Sequence, residues 1–402
     1  MMKKLLILHP YSQAYTDIYA CLDSKYSYTI LTDTSKAASF EKNPPSNVDI
    51  VYCQDYPHHR QQVAENTLSN NEFDAILALD EFDILLTAQL RETFHISGQT
   101  LAEATLFRNK ELMTKKVEEV GFRVPFSQKA RSYSELKTFL QAHKDIIVKP
   151  SDGAGSVDTF HIKETDDLTR FVAPDFWNQH SILLQEYIYA DIYHIDGLVH
   201  QGNLVYCEPS QYLYNPLLIK KGCAAAAVSL DHSTPQCQQL INYATALVQT
   251  LYPGGTFLFH LEVFYKDEDI IFLEIASRIG GARIRQNLEF KLGHNPLKLL
   301  LLAICGESLP PLPKDFPNTG WLLTAKKEGK MVELPILTEQ VKQAYSIFDV
   351  ITYVKVGQHL KNAFHSADAI IGLSNYGSNF EETKTALLQA EKWANEHTRY
   401  DE

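Results

Sequence analysis

Cysteine and long apolar runs are both scarce in this sequence. The six cysteines of the 402-residue chain are widely scattered, with no C-x-x-C pair and no Cys/His cluster at zinc-site spacing. We therefore expect reduced thiols, and neither a disulfide framework nor a zinc site. No apolar stretch reaches the roughly 20 residues that cross a bilayer, so the sequence predicts a soluble protein without a membrane partner.

Basic residues are also in the minority. The chain has 37 lysines and arginines against 49 aspartates and glutamates, a formal net charge of −12 at pH 7. This charge repels nucleic-acid phosphates and anionic lipid head groups, which argues against general nucleic-acid binding. An anionic ligand must therefore be bound by a local cluster of cations.

The N-terminus resembles the start of a signal peptide but lacks its length. The apolar run at residues 5–8 is four residues long, and Pro10 follows it closely. A signal peptide needs an apolar core of roughly 7 to 15 residues. We therefore expect a first buried strand, and a cytoplasmic protein.

The remaining composition is that of a folded protein of several domains. Apolar residues make up 45% and charged residues 21% of the 402 positions, a length that corresponds to roughly two to four domains. Over the first domain, apolar runs alternate with segments of helical composition, which predicts α/β structure around a Rossmann-like parallel sheet. The predicted strands are 5–8, 28–31, 48–53 and 75–79, and the predicted helices are 58–69 and 82–93.

Two further patterns follow along the chain. A helix is predicted at 101–120, ended by Gly121 and Pro125, and after it a small α+β unit with strands at 145–150 and 181–188 and a helix at 166–172. Longer strands then predict an antiparallel lobe, with a hairpin turn at 266–269, a covering helix at 233–251 and a final helix at 381–397. The expected domains are an N-terminal α/β domain at 1–105, an α+β lid at 106–190, an antiparallel-sheet C-terminal lobe at 191–310 and an α+β extension at 311–402.

The predicted hairpin carries two glutamates. Glu262 and Glu274 stand on its two strands at similar offsets from the turn, so they are expected opposite each other on one face. Facing carboxylates repel unless a cation lies between them, and carboxylate oxygens completed by phosphate and water suit magnesium. Two ordinary surface glutamates are the alternative.

Positive charge is concentrated directly after this hairpin. Arg278, Arg283 and Arg285 surround a Gly280-Gly281 turn. Arginine binds phosphate or carboxylate oxygens with a planar fork, and paired glycines let backbone amides approach an anion. A solvated loop with surface charges is the alternative.

A glycine-rich loop and a strand end provide further binding candidates. Lys149 ends a predicted strand and precedes the loop at 151–156, whose amides could fold over phosphates, although the P-loop pattern G-x-x-x-x-G-K-[ST] is absent. The segment 185–188 offers an acceptor side chain and backbone amides that could bind an adenine edge. An ordinary turn and an ordinary edge strand are the respective alternatives.

Together these motifs resemble the ATP-grasp superfamily, and within it the carboxylate-amine ligases, which include amino-acid ligases and glycinamide ribonucleotide synthetase relatives. The resemblance covers nearly the whole chain. It rests on five motifs in the expected order, namely Arg108-Asn109-Lys110, Lys149-Pro150 with its Gly/Ser loop, Gln185-Glu186-Tyr187-Ile188, His260-Leu261-Glu262-Val263 and Leu273-Glu274 continued through Ser277-Arg278-Ile279-Gly280-Gly281.

The resemblance implies a fold, cofactors and roles. It implies the ATP-grasp fold, with ATP and Mg²⁺, or Mn²⁺, bound between the lid and the C-terminal lobe. Arg278 would stabilise the transferring phosphoryl group, and Glu262 and Glu274 would hold the metal. The implied ATP-binding residues are Lys110 and Lys149 at the phosphates or adenine N7, the loop with Ser151, Gly153, Gly155 and Ser156, and the adenine-site residues Gln185, Glu186, Tyr187 and Ile188.

The sequence departs from the family pattern at two places. Ala276 stands where many members carry an asparagine two residues after the second metal-binding glutamate, which puts full two-metal ligation in doubt. The usual ribose-binding glutamate is missing near Ala190-Asp191-Ile192, and Asp191 is the candidate substitute. His194 is a candidate for contact with phosphate or substrate, with a structural histidine as the alternative.

The implied reaction joins two small molecules. A carboxylate would attack the γ-phosphate of ATP to give an acyl phosphate, and an amine would then displace phosphate. Arg283 and Arg285 are candidates to bind the substrate carboxylate and stabilise the tetrahedral intermediate, and a loop at 214–227 is expected near the site. The alternatives are a bicarbonate-dependent carboxylase of the biotin carboxylase-like type and a non-catalytic ATP-binding regulatory protein. Enzymes of this type are often homodimers.

Overall fold

The N-terminal part of the chain forms the predicted parallel sheet. The computed structural model describes residues 2–164, 166–179, 181–313, 315–365 and 368–401. In the first part, β1 is Lys4–Leu8, β2 Ser27–Asp33, β3 Val48–Cys53 and β4 Ala75–Ala78, with helices α1 Ala37–Phe40, α2 Tyr56–Ser69 and α3 Ile84–Thr93. All pairings are parallel, in the order β3-β2-β1-β4, which confirms the α/β prediction.

The single helix predicted at 101–120 is interrupted, so that prediction is wrong. Helix α4 is Leu101–Leu106 and helix α5 is Lys110–Glu119. Asn109 has extended backbone angles, with φ −98 and ψ 104, and its side chain accepts from the Leu112 amide, so it begins a new helix. The break brings Lys110 against the next domain, where its amide donates to the Ser151 carbonyl over 2.8 Å.

The predicted small α+β unit is an antiparallel four-stranded sheet, hereafter the lid. Its strands are β5 Ser127–Ala130, β6 Asp145–Pro150, β7 Phe160–Lys163 and β8 Ile182–Glu186, and its helices are α6 Tyr133–His143 and α7 Pro174–Gln179. The order is β5-β8-β6-β7. The helix predicted at 166–172 is instead a short 3₁₀ turn at Thr169–Phe171, because the residue before Pro174 disfavours helical angles and the α-helix begins only at that proline.

The rest of the chain builds one large antiparallel sheet. Its strands are β9 Asp191–His200, β10 Asn203–Tyr212, β11 Ala225–Ser229, β12 Phe257–Lys266, β13 Asp269–Ala276, β14 Asn318–Ala325, β16 Ile347–Thr352 and β18 Ala369–Gly377. Their order is β13-β12-β9-β10-β11-β14-β18-β16. The predicted hairpin joins β12 to β13 through Asp267 and Glu268, both with positive φ, as a tight two-residue turn requires.

Helices and a small sheet complete this half of the molecule. They are α8 Pro235–Leu251, α9 Ile284–Leu292, α10 Pro296–Cys305, α11 Glu339–Ala344 and α12 Phe380–Glu396, with strands β15 Gly329–Glu333, β17 His359–Leu360 and β19 Arg399–Asp401. Helix α8 packs its apolar face on the large sheet as expected. Strands β14, β18 and β16, all after residue 310, continue the same sheet. The four domain limits themselves remain a proposal.

Among the described residues, no helix combines the length and the hydropathy that a bilayer crossing requires.

Candidate active site

A cleft lies between the lid and the large sheet, and most of the predicted binding residues line it. The lid contributes the ends of β6 and β8, and the large sheet contributes β12 and β13. The predicted residues that meet here are Lys110, Lys149, Gly153, Gly155, Ser156, Gln185, Glu186, Tyr187, Ile188, Glu262 and Glu274. Segments far apart in the chain are thus brought to one cavity.

The two predicted glutamates are direct cross-strand partners. Glu262 on β12 pairs with Glu274 on β13, and the next pair is Val263 with Phe272, so Leu273 forms a bulge. Glu262 accepts a hydrogen bond from the Tyr212 hydroxyl at 2.6 Å, and Glu274 lies 3.2 Å from the Lys110 ammonium. Two carboxylates that open into the same cleft are a donor set that fits Mg²⁺.

Two lysines compensate the charge of these carboxylates. Burial lowers the pKa of Lys149, at the end of β6, to about 8, while Glu274 favours its protonated form. Burial alone would raise the pKa of Glu274, but Lys110 and Lys149 hold it at about 2. The Lys110 ammonium also donates to the Gly153 carbonyl over 2.6 Å. The cleft therefore places cations and carboxylates side by side.

The glycine-rich loop between β6 and β7 lies over the cleft. Gly155 has φ +62 and Ser156 has φ +59, left-handed angles that glycine adopts readily. Lys220 donates to the carbonyls of Ser156 at 2.6 Å and Thr159 at 3.3 Å. Ser151 is buried at the base of the loop, where its amide donates to the Ser181 carbonyl, so it anchors the loop rather than lining the cleft.

The predicted adenine-edge residues have definite partners. The Glu186 carboxylate accepts from the Phe126 amide over 2.9 Å. The ring of Tyr187 stacks on His161 with centroids 3.9 Å apart, and its hydroxyl accepts from Asn215 at 3.2 Å. The side-chain amide nitrogen of Gln185 is buried and has no hydrogen-bond partner among the described residues. This N–H group is therefore available to donate a hydrogen bond to a ligand in the cleft.

The three predicted arginines line a second cavity, together with aromatic residues of the N-terminal domain. Arg278 pairs with Glu81, which also binds Arg108 at 2.5 Å. Burial disfavours the charge of Arg278, but the Glu81 carboxylate raises its pKa above the usual value. Arg283 pairs with Asp349 of β16, and Arg285 lies 3.3 Å from Glu289 of α9.

The two cavities are neighbours. Ala154 and Gly155, in the glycine-rich loop, line both of them. A narrow pocket between them is lined by Lys110, Glu274 and Arg278. The two cavities therefore adjoin at the glycine-rich loop, close to Glu274 and Arg278.

The arrangement of this cleft agrees with comparisons to known proteins. The family described as the ATP-grasp domain matches residues 107–282. Over this segment the chain is similar to the ATP-grasp domain. The matched segment contains the lid, the hairpin glutamates and Arg278, and its last residue precedes Arg283.

Two curated proteins similar to this chain are named as a ligase and a synthetase. The chain is 26% identical over 234 residues to an L-arginine-specific L-amino acid ligase of Bacillus subtilis, covering 54% of each chain. It is 28% identical over 215 residues to a glutathione synthetase of Vibrio vulnificus (strain YJ016), covering 50% of this chain and 64% of that protein. The match thus spans about half to two thirds of these relatives' length.

Solved structures establish the ATP-grasp fold over the full chain. An L-amino acid ligase from Bacillus licheniformis superposes with a TM-score of 0.78 at 17% identity and covers 100% of this chain and 99% of its own. A phosphoribosylglycinamide synthetase from Anaerococcus prevotii superposes with a TM-score of 0.68 at 13% identity, covering 100% of both chains. The predicted fold class is therefore confirmed.

Three predicted binding residues, Ser151, Asp191 and His194, do not line the cleft. Asp191 is exposed and accepts a hydrogen bond from Gln211 at 3.2 Å, whereas Ile192, the next residue on the strand, faces the cleft. His194 is 2% exposed and lies between Asp196 and Trp321 in the interior. These surroundings agree with the alternative interpretation of His194 as a structural histidine.

Sequence reasoning also missed residues of the site. Lys220 belongs to the loop expected near the cleft, but its sequence signal was only a pair of lysines before Gly222. Tyr212 and Glu81 reach the site from another strand and another domain. No spacing rule connects them to the motifs, because their proximity arises from strand order and domain packing.

Proposed function

We propose that the protein is an ATP-dependent ligase that joins a carboxylate to an amine and releases ADP and phosphate. The observation that carries the proposal is the facing pair Glu262 and Glu274, beside Lys110 and Lys149 at the junction of two cavities. One cavity has the lid and glycine-rich loop suited to a nucleotide, and the other has arginines suited to a carboxylate.

ATP is proposed to occupy the cleft beneath the lid. Lys110, Lys149 and the amides of the glycine-rich loop bind the phosphates, and Ser151 anchors that loop. The unused amide of Gln185 and the second oxygen of Glu186 bind the adenine edge, and the Tyr187 ring and Ile188 line its pocket. This assignment uses a buried donor, the Gln185 amide nitrogen, that has no hydrogen-bond partner within the described part of the chain.

Glu262 and Glu274 are proposed to hold Mg²⁺, with Mn²⁺ as a substitute. Both side chains offer oxygen ligands, and both open to the phosphate end of the cleft. The bound cation supplies charge neutralisation for phosphoryl transfer. Ala276, at the end of β13, adds no ligand.

The proposed chemistry has two balanced steps. In the first, a carboxylate oxygen attacks the γ-phosphorus, the bond to the bridging oxygen of ADP breaks, and an acyl phosphate forms. In the second, the amine nitrogen attacks the acyl carbon, phosphate leaves, and the nitrogen loses a proton. Arg278 lies at the junction of the cavities and stabilises the transferring group, while Arg283 and Arg285 orient the carboxylate substrate.

The test is ADP release with pools of amino acids, with and without bicarbonate. Release that needs a carboxylate and an amine together, with equal amounts of phosphate and amide, supports the ligase. Release that depends on bicarbonate indicates a carboxylase. Nucleotide binding without turnover under every acceptor indicates a regulatory protein, and either result contradicts the proposal.

Replacing one metal-site carboxylate gives the first mutational prediction. Glu274→Gln removes the negative charge of a proposed metal ligand beside two lysines. We expect turnover to fall by at least about 100-fold, because the metal and the phosphates would no longer be positioned. The thermal unfolding midpoint should change little. The matched control is Glu268→Gln, an exposed glutamate in the turn of the same hairpin, which should keep normal turnover. Normal activity in Glu274→Gln would refute the metal assignment.

A further inference from the structure

A series of polar contacts runs from Glu262 into the interior of the large sheet, away from the cleft. His260 lies 3.4 Å from Glu262 through Nε2 and 2.9 Å from Asp196 through Nδ1. The other oxygen of Asp196 lies 2.6 Å from Nδ1 of His194, and the Trp321 indole donates to Nε2 of that histidine at 3.4 Å. Apart from Glu262, these residues have no role in the proposed chemistry.

The partners fix where the protons are. Because the Trp321 N–H can only donate, Nε2 of His194 accepts, and its Nδ1 carries the proton that binds Asp196. Both nitrogens of His260 face carboxylates, so both donate. His260 thus contacts Glu262 on one side and Asp196 on the other. Across strands β12 and β9, His260 is the register partner of Asp196, and Glu262 is that of His194.

The contacts to Glu262 concentrate on a single oxygen. Oε1 accepts from the Tyr212 hydroxyl at 2.6 Å and lies 3.4 Å from Nε2 of His260. With two donors on Oε1, the side chain is held in one orientation, and Oε2 is the oxygen left for a ligand in the cleft. This is how outer partners orient a metal-binding carboxylate.

Asp196 also holds the turn that follows the second glutamate. The oxygen that faces His260 accepts from the Gly280 amide at 3.2 Å. A Cβ atom at position 280 would lie 2.7 Å from both Asp196 and His260, so only glycine permits this approach. The same carboxylate therefore touches the partner of Glu262 and the turn between Arg278 and Arg283.

We propose that His260 and Asp196 are positioning residues that present Glu262 to the cation through one oxygen and fix the Gly280 turn relative to it. This inference rests on the proposed function, which makes Glu262 a cation ligand. His194, Asp196 and His260 lie close enough to hold a metal among themselves. Their facing atoms are instead hydrogen-bonded to one another, which favours positioning.

The two contacts of His260 can be separated by substitution. Glutamine places its amide nitrogen near the position of Nε2 and keeps the contact to Glu262, whereas asparagine places it near Nδ1 and keeps the contact to Asp196. Affinity for Mn²⁺·ADP is measured by electron paramagnetic resonance, a readout that needs no turnover. We expect His260→Asn to bind about tenfold or more weakly, His260→Gln to stay within about twofold, and Asp196→Asn to weaken binding although it does not touch Glu262.

The control is His232→Gln, because His232 pairs with the buried Glu208 at 3.0 Å in the same sheet without contact to Glu262. Unfolding midpoints show whether each variant is folded. The inference is overturned if wild type and His260→Asn bind Mn²⁺·ADP with equal affinity, or if both His260 variants lose the same amount of affinity. It is also overturned if the wild-type protein retains one equivalent of zinc and His194→Gln does not. Wild-type protein that does not bind Mn²⁺·ADP overturns the proposed function itself.

Discussion

Single residues of the cleft show how burial and neighbours set their protonation. Lys149 is buried and Glu274 is half-buried near the phosphate end. Burial by itself lowers the pKa of the lysine and raises that of the glutamate. Their proximity, with Lys110 beside them, keeps Glu274 ionised and leaves Lys149 with a pKa of about 8. The glutamate pair could be predicted because a short hairpin sets its register. The shifted pKa values could not, because they depend on burial.

A buried histidine outside the cleft gives a prediction about pH. His9 is 0% exposed, and burial lowers its pKa to about 4. Its Nδ1 atom accepts a hydrogen bond from the Tyr11 amide, and its Nε2 atom donates one to the Thr16 carbonyl. Between the unfolded value of 6.5 and about 4, the unfolded chain binds a proton that the folded chain does not. Stability should therefore fall as pH falls through this window, by about 3 kcal/mol in total.

The measurement is the free energy of unfolding from denaturant titrations between pH 7 and 4. His9→Asn keeps an acceptor for the Tyr11 amide and cannot titrate, so its stability should depend less on pH than that of wild type. His59→Asn, at an exposed position, is the control and should follow wild type. Parallel curves for wild type and His9→Asn would contradict the prediction.

At the scale of elements, the positions of Lys110 and Glu274 depend on a helix break and on a strand bulge. The break between α4 and α5 directs Lys110 into the cleft, and the bulge at Leu273 follows the glutamate pair. The position of the break was missed because the 101–120 segment has continuous helical composition. The extended backbone of Asn109 depends on contacts with the loop after β6, which local propensity does not contain.

The contact between two loops gives a prediction for Lys220. Its ammonium binds two carbonyls of the glycine-rich loop, so Lys220→Met should free that loop and weaken ATP binding about tenfold, the effect of losing a charged hydrogen bond. Cleavage within residues 151–159 by proteinase K should also become faster. The neighbouring exposed Lys221 supplies the control, Lys221→Met, which should behave as wild type. Unchanged cleavage and ATP affinity in Lys220→Met would show that the loop does not depend on this contact.

At the scale of the whole molecule, the last ninety residues are part of the central architecture. Strands β14, β18 and β16 extend the large sheet. From these strands, Trp321 reaches His194 and Asp349 pairs with Arg283. The segment after residue 310, which the sequence predicted to be a separate extension, therefore contacts His194 in the sheet interior and Arg283 in the second cavity.

Removing this segment gives a prediction about folding. A chain that ends at residue 310 leaves β11 without its neighbour β14 and exposes apolar residues of the shared core, such as Ala226 and Val228. We expect it to aggregate or to lose cooperative unfolding, measured by size-exclusion chromatography and circular dichroism. A chain that ends at Thr398 loses only β19 of the small sheet and should remain folded. A monomeric, cooperatively folded 1–310 chain would contradict the prediction.

The sequence by itself determined the parallel N-terminal sheet, the hairpin with its facing glutamates, and the order of the ATP-grasp motifs. Those features depend on apolar periodicity and on partners a few residues apart. Only the tertiary structure decided that Asp191 and His194 lie outside the cleft, that Lys220 binds the loop, and that Asp196 binds Gly280. The last contact joins residues 84 positions apart, and strand order and domain packing, which no local pattern encodes, bring them together.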